Sequence, residues 1–85
     1  MSYVITFLNS NDAVAAEYAL AEDNIPASVM PLLPQLGKGC GICLRLAPDE
    51  IDNAKKCMSD KGIRPANIYY RTPNDTKGFE YVVVT

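Results

Sequence analysis

Histidine is absent from this 85-residue sequence, so the commonest acid–base group and metal ligand is missing. No apolar run approaches the roughly 20 residues that span a bilayer, and the N-terminal stretch MSYVITFL lacks the basic region and cleavage site of a signal peptide. Charge is scattered, with 8 basic and 10 acidic residues and a net charge of −2. These absences argue against binding to nucleic acid or membranes and predict a cytoplasmic protein.

The motifs of ordinary catalysis are missing as well. The sequence contains neither a phosphate-binding loop nor a carboxylate pair set by a motif, so we expect no enzyme activity in the ordinary sense. We also expect no cofactor and no metal site. Any transfer chemistry would be stoichiometric. With 48% hydrophobic residues and no low-complexity tract, residues 1–85 are expected to form a single small domain.

The pattern of apolar, turn and cap residues predicts five strands and two helices. Ser10 and Asn11 are candidate caps of the first helix, and Gly62 is the expected C-cap of the second. Pro31 cannot donate to a ladder and so places the second strand at a sheet edge. The predicted strands lie at residues 3–8, 27–33, 42–47, 66–72 and 79–85, and the predicted helices at residues 12–22 and 48–61.

The two halves of the sequence repeat one pattern. The stretches NDAVAAEYALAEDNIPASV and PDEIDNAKKCMSDKGIRPANI both run through a cap, a helix, a break, isoleucine, proline and a strand. This repeat predicts an α+β, ferredoxin-like βαββαβ two-layer sandwich with strand order 4-1-3-2 and a core at about residues 3–72. The remaining strand, at about residues 78–84, would be an additional C-terminal strand that forms a hairpin with the fourth.

The odd number of cysteines, three, and the lack of a signal peptide favour free thiols, metal ligands or a redox pair over a disulfide framework. Cys40 and Cys43 form a Cys-x-x-Cys motif in GKGCGICLRL, where the third strand begins. Alternation puts Ile42 on the side of the helices and Cys43 on the opposite, open face of the sheet. We interpret Cys57 as a packing residue of the second helix.

The predicted topology places Cys40 at the start of the first helix, where free amides and the helix dipole would favour a thiolate. Lys61 and Arg64, at the end of the second helix, would come toward the same point, and we therefore expect a low pKa for the Cys40 thiol. Glycine on both sides of Cys40 would leave the sulfur open. The candidate reactive residues are Cys40 and Cys43, and the supporting residues are Lys38, Gly39, Gly41, Ser10 and Asn11.

Other chemistries fit the cysteine pair less well. A thioredoxin-like pair opens a helix, whereas this pair opens a strand. Thiolates at this spacing can chelate Cu(I) or Zn, but ferredoxin-like copper chaperones carry their pair before the first helix, where this sequence has NSND. RNA binding is disfavoured because the third strand, ICLRL, has no stacking aromatics. Cys43 is either a resolving thiol for Cys40 or simply a small residue that the strand tolerates.

The order and spacing of YVITF, DAVAAEYAL, NIPASVMPL, GCGICLRL and DEIDNAKKCMSDKGI resemble the DUF3343 family of short bacterial proteins, described as "putative selenium/sulfur (Se/S) carrier protein-like". The resemblance implies a ferredoxin-like domain with Cys40-Gly41 as the carrier position, and it assigns no role to Cys43. A thiolate would hold sulfur or selenium as a persulfide or selenosulfide between donor and acceptor proteins.

The alternative function is a small binding, regulatory or dimerisation module in which the cysteines are incidental. The stretch RTPNDTKGFEYVVVT extends beyond the family core, and a homodimer could form through the sheet or through this extra strand. Replacement of both Cys40 and Cys43 would leave the function of such a module intact.

Overall fold

The order of helices and strands in the computed structural model is the predicted one. The structure describes residues 1–33, 36, 41–76 and 78–84. The described elements are β1 (Ser2–Thr6), α1 (Ser10–Glu22), β2 (Ser28–Pro31), β3 (Ile42–Leu46), a 3-10 turn (Pro48–Glu50), α2 (Ile51–Asp60), β4 (Asn67–Pro73) and β5 (Phe79–Val83).

The strands form a five-stranded antiparallel sheet in the order β2-β3-β1-β4-β5. This is the ferredoxin-like order with one strand added beside β4, as predicted. The second strand, β2, lies at one edge of the sheet, which confirms the position inferred from Pro31. The fifth strand, β5, pairs with β4 as a hairpin and forms the other edge.

The main core lies between the helices and one face of the sheet. Because successive residues of a strand point to opposite faces, alternate residues of β1, β3 and β4 contribute to it. Leu44 and Leu46 are buried in this core and Ile42 packs at its margin, as the alternation predicts. The core consists of Ile5, Phe7, Ala13, Ala16, Ala19, Leu20, Ile25, Leu44, Leu46, Ile51, Ala54, Cys57, Met58 and Ile68.

Both helices end in the same motif, in agreement with the repeat in the sequence. After α1, Asn24 has a left-handed backbone with φ of 58°, and the Ile25 amide donates to the carbonyl five residues earlier at 2.9 Å. After α2, Gly62 has φ of 71°, and the Ile63 amide makes the equivalent bond at 2.8 Å. This is the Schellman motif, and its isoleucine returns the chain to the core.

Candidate functional site

Part of the predicted site lies outside the described residues, namely Cys40 with Lys38 and Gly39. The structure describes Gly41 and Cys43. Thr6 pairs with Cys43, so β3 begins beside the C-terminal end of β1. The helix α1 also begins at this end of the strands. Gly41 is exposed, and a Cβ atom built on it would meet nothing within 4 Å. The position of Cys40 and the pKa of its thiol stay predictions.

The N-cap of α1 is Asn9, and the prediction of Ser10 or Asn11 as the cap is wrong. Asn9 has the extended backbone that a cap requires, and its Oδ1 accepts a hydrogen bond from the Asp12 amide at 2.8 Å. Its Nδ2 donates to the Asp12 carboxylate at 3.2 Å. Ser10 and Asn11 are the first two residues of α1, and both are exposed. The spacing Asn-x-x-Asp, which resembles a capping box, is the sequence signal for this cap.

The charges near α1 differ from the prediction. Lys61 does not come to the start of α1: its Nζ lies 3.8 Å from Glu22 Oε2 and 3.9 Å from Asp23 Oδ1, at the C-terminal end of that helix. The ammonium is drawn there by two carboxylates and by the negative end of the helix dipole. The start of α1 carries the Asp12 carboxylate instead. These placements give less support to a stabilised thiolate than the sequence predicts.

Cys43 faces away from the helices, as predicted, but that face of the sheet is not open around it. The Cys43 side chain is fully buried, and its Sγ lies 3.7 Å from the carbonyl oxygen of Pro31. Three leucines that follow β2 in the sequence, Leu32, Leu33 and Leu36, pack on this face. A second cluster results, formed by buried Val4, Leu36, Cys43 and Tyr69 with partly buried Met30, Leu32, Leu33 and Tyr81.

The second cluster is anchored at Leu36. The side chain of Leu36 is 2% exposed, and its amide donates to the Leu33 carbonyl at 2.9 Å. The buried hydroxyl of Tyr69, on β4, donates to the Leu36 carbonyl at 3.2 Å. A buried carbonyl without such a partner would be costly, so this bond holds Leu36 over the sheet. Attack by Cys43 on another group would require this cover to open.

Cys57 is a packing residue, as predicted. Its side chain is 3% exposed in the main core, and its Sγ donates to the Ala19 carbonyl at 3.4 Å. Burial, followed by the influence of the nearby Asp23 carboxylate, raises the pKa of the Cys57 thiol from 9.0 to about 11. The thiol is therefore protonated near neutral pH, and a protonated thiol is a poor nucleophile.

Metal ligands, membrane-spanning helices and clefts are further features that could give the described residues a function. No group of three or more His, Cys, Asp or Glu side chains among them could hold a metal ion. Within the same part of the chain, neither helix has the length and apolar character needed to cross a membrane. An open cleft of about 550 Å³ between α2 and β4 includes Lys55 and Arg64, and its lining contains none of the predicted site residues.

Fold and sequence together define the class of this protein. The topology is that of a small ferredoxin-like α+β domain, with one strand added at the edge beside β4. Over residues 2–70 the chain matches the family model described as "Putative Se/S carrier protein-like", and it belongs to that family. The match confirms the resemblance, and β5 lies beyond the matched residues. No curated protein and no solved structure matches the chain.

Proposed function

We propose that this protein carries sulfur or selenium on the thiol of Cys40, as a persulfide or selenosulfide, between a donor and an acceptor protein. The family to which the chain belongs supports a chalcogen carrier. The choice of Cys40 among the three cysteines rests on the state of the other two. Gly41, which follows Cys40 in the sequence, adds an exposed position where a partner could approach.

The observation that carries the proposal is the burial of Cys43 and Cys57. Cys43 is fully buried in the second cluster, and Cys57 is 3% exposed in the main core. Both thiols lie within hydrogen-bonding distance of backbone carbonyls. Since a carrier thiol must meet the thiols of two other proteins in turn, a buried thiol is a poor candidate. Cys40 is therefore the thiol that we assign to transfer.

The proposed transfer moves one chalcogen atom without net oxidation of the carrier. The Cys40 thiolate attacks the terminal sulfur of a donor persulfide, R–S–SH; the donor S–S bond breaks as the new S–S bond forms, and the donor leaves as R–S⁻. Cys40 then holds the atom as Cys–S–SH. The thiolate of an acceptor attacks that terminal sulfur and releases the Cys40 thiolate. Selenium moves by the same displacement, through Cys–S–SeH.

Intact mass spectrometry after exposure to a small-molecule persulfide donor tests the proposal. We expect a gain of one sulfur atom on the native chain, located at Cys40, that is lost when a thiol acceptor is added. The variant Cys40→Ser should not gain the atom. The matched variants Cys43→Ala and Cys57→Ala each remove a buried thiol and should still gain it. Parallel exposure to a selenosulfide donor gives the rate of selenium transfer to Cys40, which can be compared with the rate of sulfur transfer.

Two results would contradict this assignment. An adduct located on Cys43, and retained by Cys40→Ser, would make Cys43 the carrier and would show that its cover opens readily. No adduct on folded protein, or one that forms no faster than on free cysteine, would favour the alternative of a binding or dimerisation module. In that case the double replacement of Cys40 and Cys43 should leave partner binding unchanged.

A further inference from the structure

The edge of the sheet formed by β5 exposes apolar side chains on both faces, and the Arg71 guanidinium of β4 lies over the Phe79 ring, 3.5 Å from its centre. Phe79, Val82 and Val83 are 45%, 58% and 51% exposed. Among the five described residues of this strand, Glu80 is the one charged residue. Edge strands are normally protected by charged side chains, especially lysine, or by proline, a bulge or short length. The single charge of β5 and its lack of lysine and proline leave this edge a surface for strand pairing.

The backbone of β5 turns hydrogen-bonding groups away from β4, and no strand among the described residues pairs with that side. The Val84 amide donates to the Ile68 carbonyl at 2.9 Å, which marks a hydrogen-bonded pair of the ladder. At the other end, the Asn74 amide donates to the Gly78 carbonyl at 3.0 Å. Such pairs alternate with pairs whose N–H and C=O groups point outward. With the observed register, the outward residues of β5 are Phe79, Tyr81 and Val83.

The opposite edge, β2, offers much less to a partner strand. The Leu32 amide donates to the Gly41 carbonyl at 3.1 Å, so the same alternation turns Val29 and Pro31 outward. Proline has no N–H, and within the four residues of β2 the outward donor is that of Val29. Pairing of β5 with β2 of another copy, which would propagate into a filament, is therefore disfavoured.

We propose that β5 pairs antiparallel with β5 of a second copy, across a two-fold axis at Tyr81, and joins the two five-stranded sheets into one. In this register Tyr81 lies opposite Tyr81 of the second copy, and Phe79 of each copy lies opposite Val83 of the other. All the outward residues of β5 then exchange backbone hydrogen bonds. Glu80 lies opposite Val82. A shift of two residues toward the N-terminus would bring the two Glu80 carboxylates together, which like-charge repulsion opposes.

The second copy is the occupant that this edge fits because the contact is self-complementary. Apolar side chains meet on one face, and the charged residue of each strand is kept away from its counterpart on the other. A closed two-fold dimer also leaves the β2 edges outside the contact. The inference does not depend on the carrier chemistry, because none of the cysteines takes part in it.

Sedimentation velocity of the full chain over a concentration series tests the dimer. We expect a species of twice the 9.3 kDa mass of one chain, with dissociation on dilution. Val83→Lys should raise the dimer dissociation constant at least about tenfold, because lysine on an edge strand opposes pairing. Val29→Lys is the matched control at the β2 edge, where valine is 47% exposed, and it should leave the dissociation constant unchanged.

Cross-linking tests the register and does not depend on a change in stability. In a Cys40→Ser background, Tyr81→Cys should form a disulfide-linked dimer on mild oxidation, since opposed residues of a hydrogen-bonded pair have Cα atoms about 5.5 Å apart. Glu80→Cys, whose opposite residue is Val82, should cross-link more slowly. The proposal is overturned by a monomer at all concentrations up to about 1 mM, by equal effects of the two lysine variants, or by faster cross-linking at position 80.

Discussion

At the scale of the residue, Cys43 shows how far alternation along a strand can take a prediction. Alternation correctly assigns Cys43 to the face opposite the helices, because that depends only on its neighbours in β3. It does not reveal what covers that face. The covering residues Leu36 and Tyr69 lie elsewhere in the sequence, and no local pattern connects them with Cys43. Burial of this thiol is therefore a property of the tertiary structure.

Cys57 makes the stability of the protein depend on pH in the alkaline range. Its pKa is 9.0 in the unfolded chain and about 11 in the folded protein. Above pH 9 the unfolded state loses this proton first, so the unfolded state binds fewer protons and stability falls as pH rises from about 9 to about 11. We expect urea denaturation to show a steeper loss of stability over this range for the native chain than for Cys57→Ala.

The comparison of these two chains isolates the Cys57 thiol, because lysines and tyrosines titrate in both. Below pH 8 the two curves should be separated by a constant amount, which reflects the packing lost in Cys57→Ala. Curves that remain parallel through pH 11 would mean that the folded protein does not hold the Cys57 proton more tightly than the unfolded chain does.

At the scale of the element, the helix ends were easier to predict than the start of α1. Gly62 favours a left-handed backbone, and both halves of the repeat supply isoleucine and proline after the break. The stretch NSND, in contrast, offers four neighbouring polar side chains of types that can cap a helix. The choice among them depends on which residue takes the extended backbone, and in the structure that residue is Asn9.

Replacement of Asn9 by alanine tests this assignment. The Asp12 amide would lose its acceptor, and we expect Asn9→Ala to lower the free energy of unfolding by about 1 kcal/mol. Asn11→Ala is the matched control, since the same side chain is removed two residues later from an exposed position in α1. Its effect should be small, and an equal or larger loss from Asn11→Ala would argue against Asn9 as the cap. Urea denaturation monitored by circular dichroism measures the free energy of unfolding of both variants.

At the scale of the whole molecule, the repeat in the sequence was sufficient to predict the strand order. Two similar α/β units that share one sheet give the order 4-1-3-2, with the second strand at one edge in agreement with Pro31, and the hairpin with β4 adds β5 at the other edge. The burial of the second face was not predicted, because loop residues supply it. The candidate site was predicted only in part: Cys43 lies in β3 and Gly41 directly precedes that strand, as expected, whereas Lys61 lies at the other end of α1.

The second cluster should contribute to global stability because it shares the sheet with the main core. We expect Leu36→Ala to lower the free energy of unfolding by about 2 to 5 kcal/mol, in the range of a fully buried leucine. Leu20→Ala, in the main core, gives the matched comparison on the other side of the sheet. Urea denaturation followed by tyrosine fluorescence measures both, and a loss below about 0.5 kcal/mol for Leu36→Ala would show that Leu36 is only a surface contact.

The burial of Cys43 and Cys57 on opposite sides of one sheet gives the protein two built-in reporters of its motions. Cys57 lies on α2 with its thiol against the Ala19 carbonyl of α1, and it is 3% exposed, so labelling requires the contact between the two helices to loosen. Cys43 lies under the leucines anchored at Leu36, which could lift while the helices stay in place. The ratio of the two labelling rates under native conditions therefore compares the opening of the leucine cover on one face of the sheet with the loosening of the helix contact on the other.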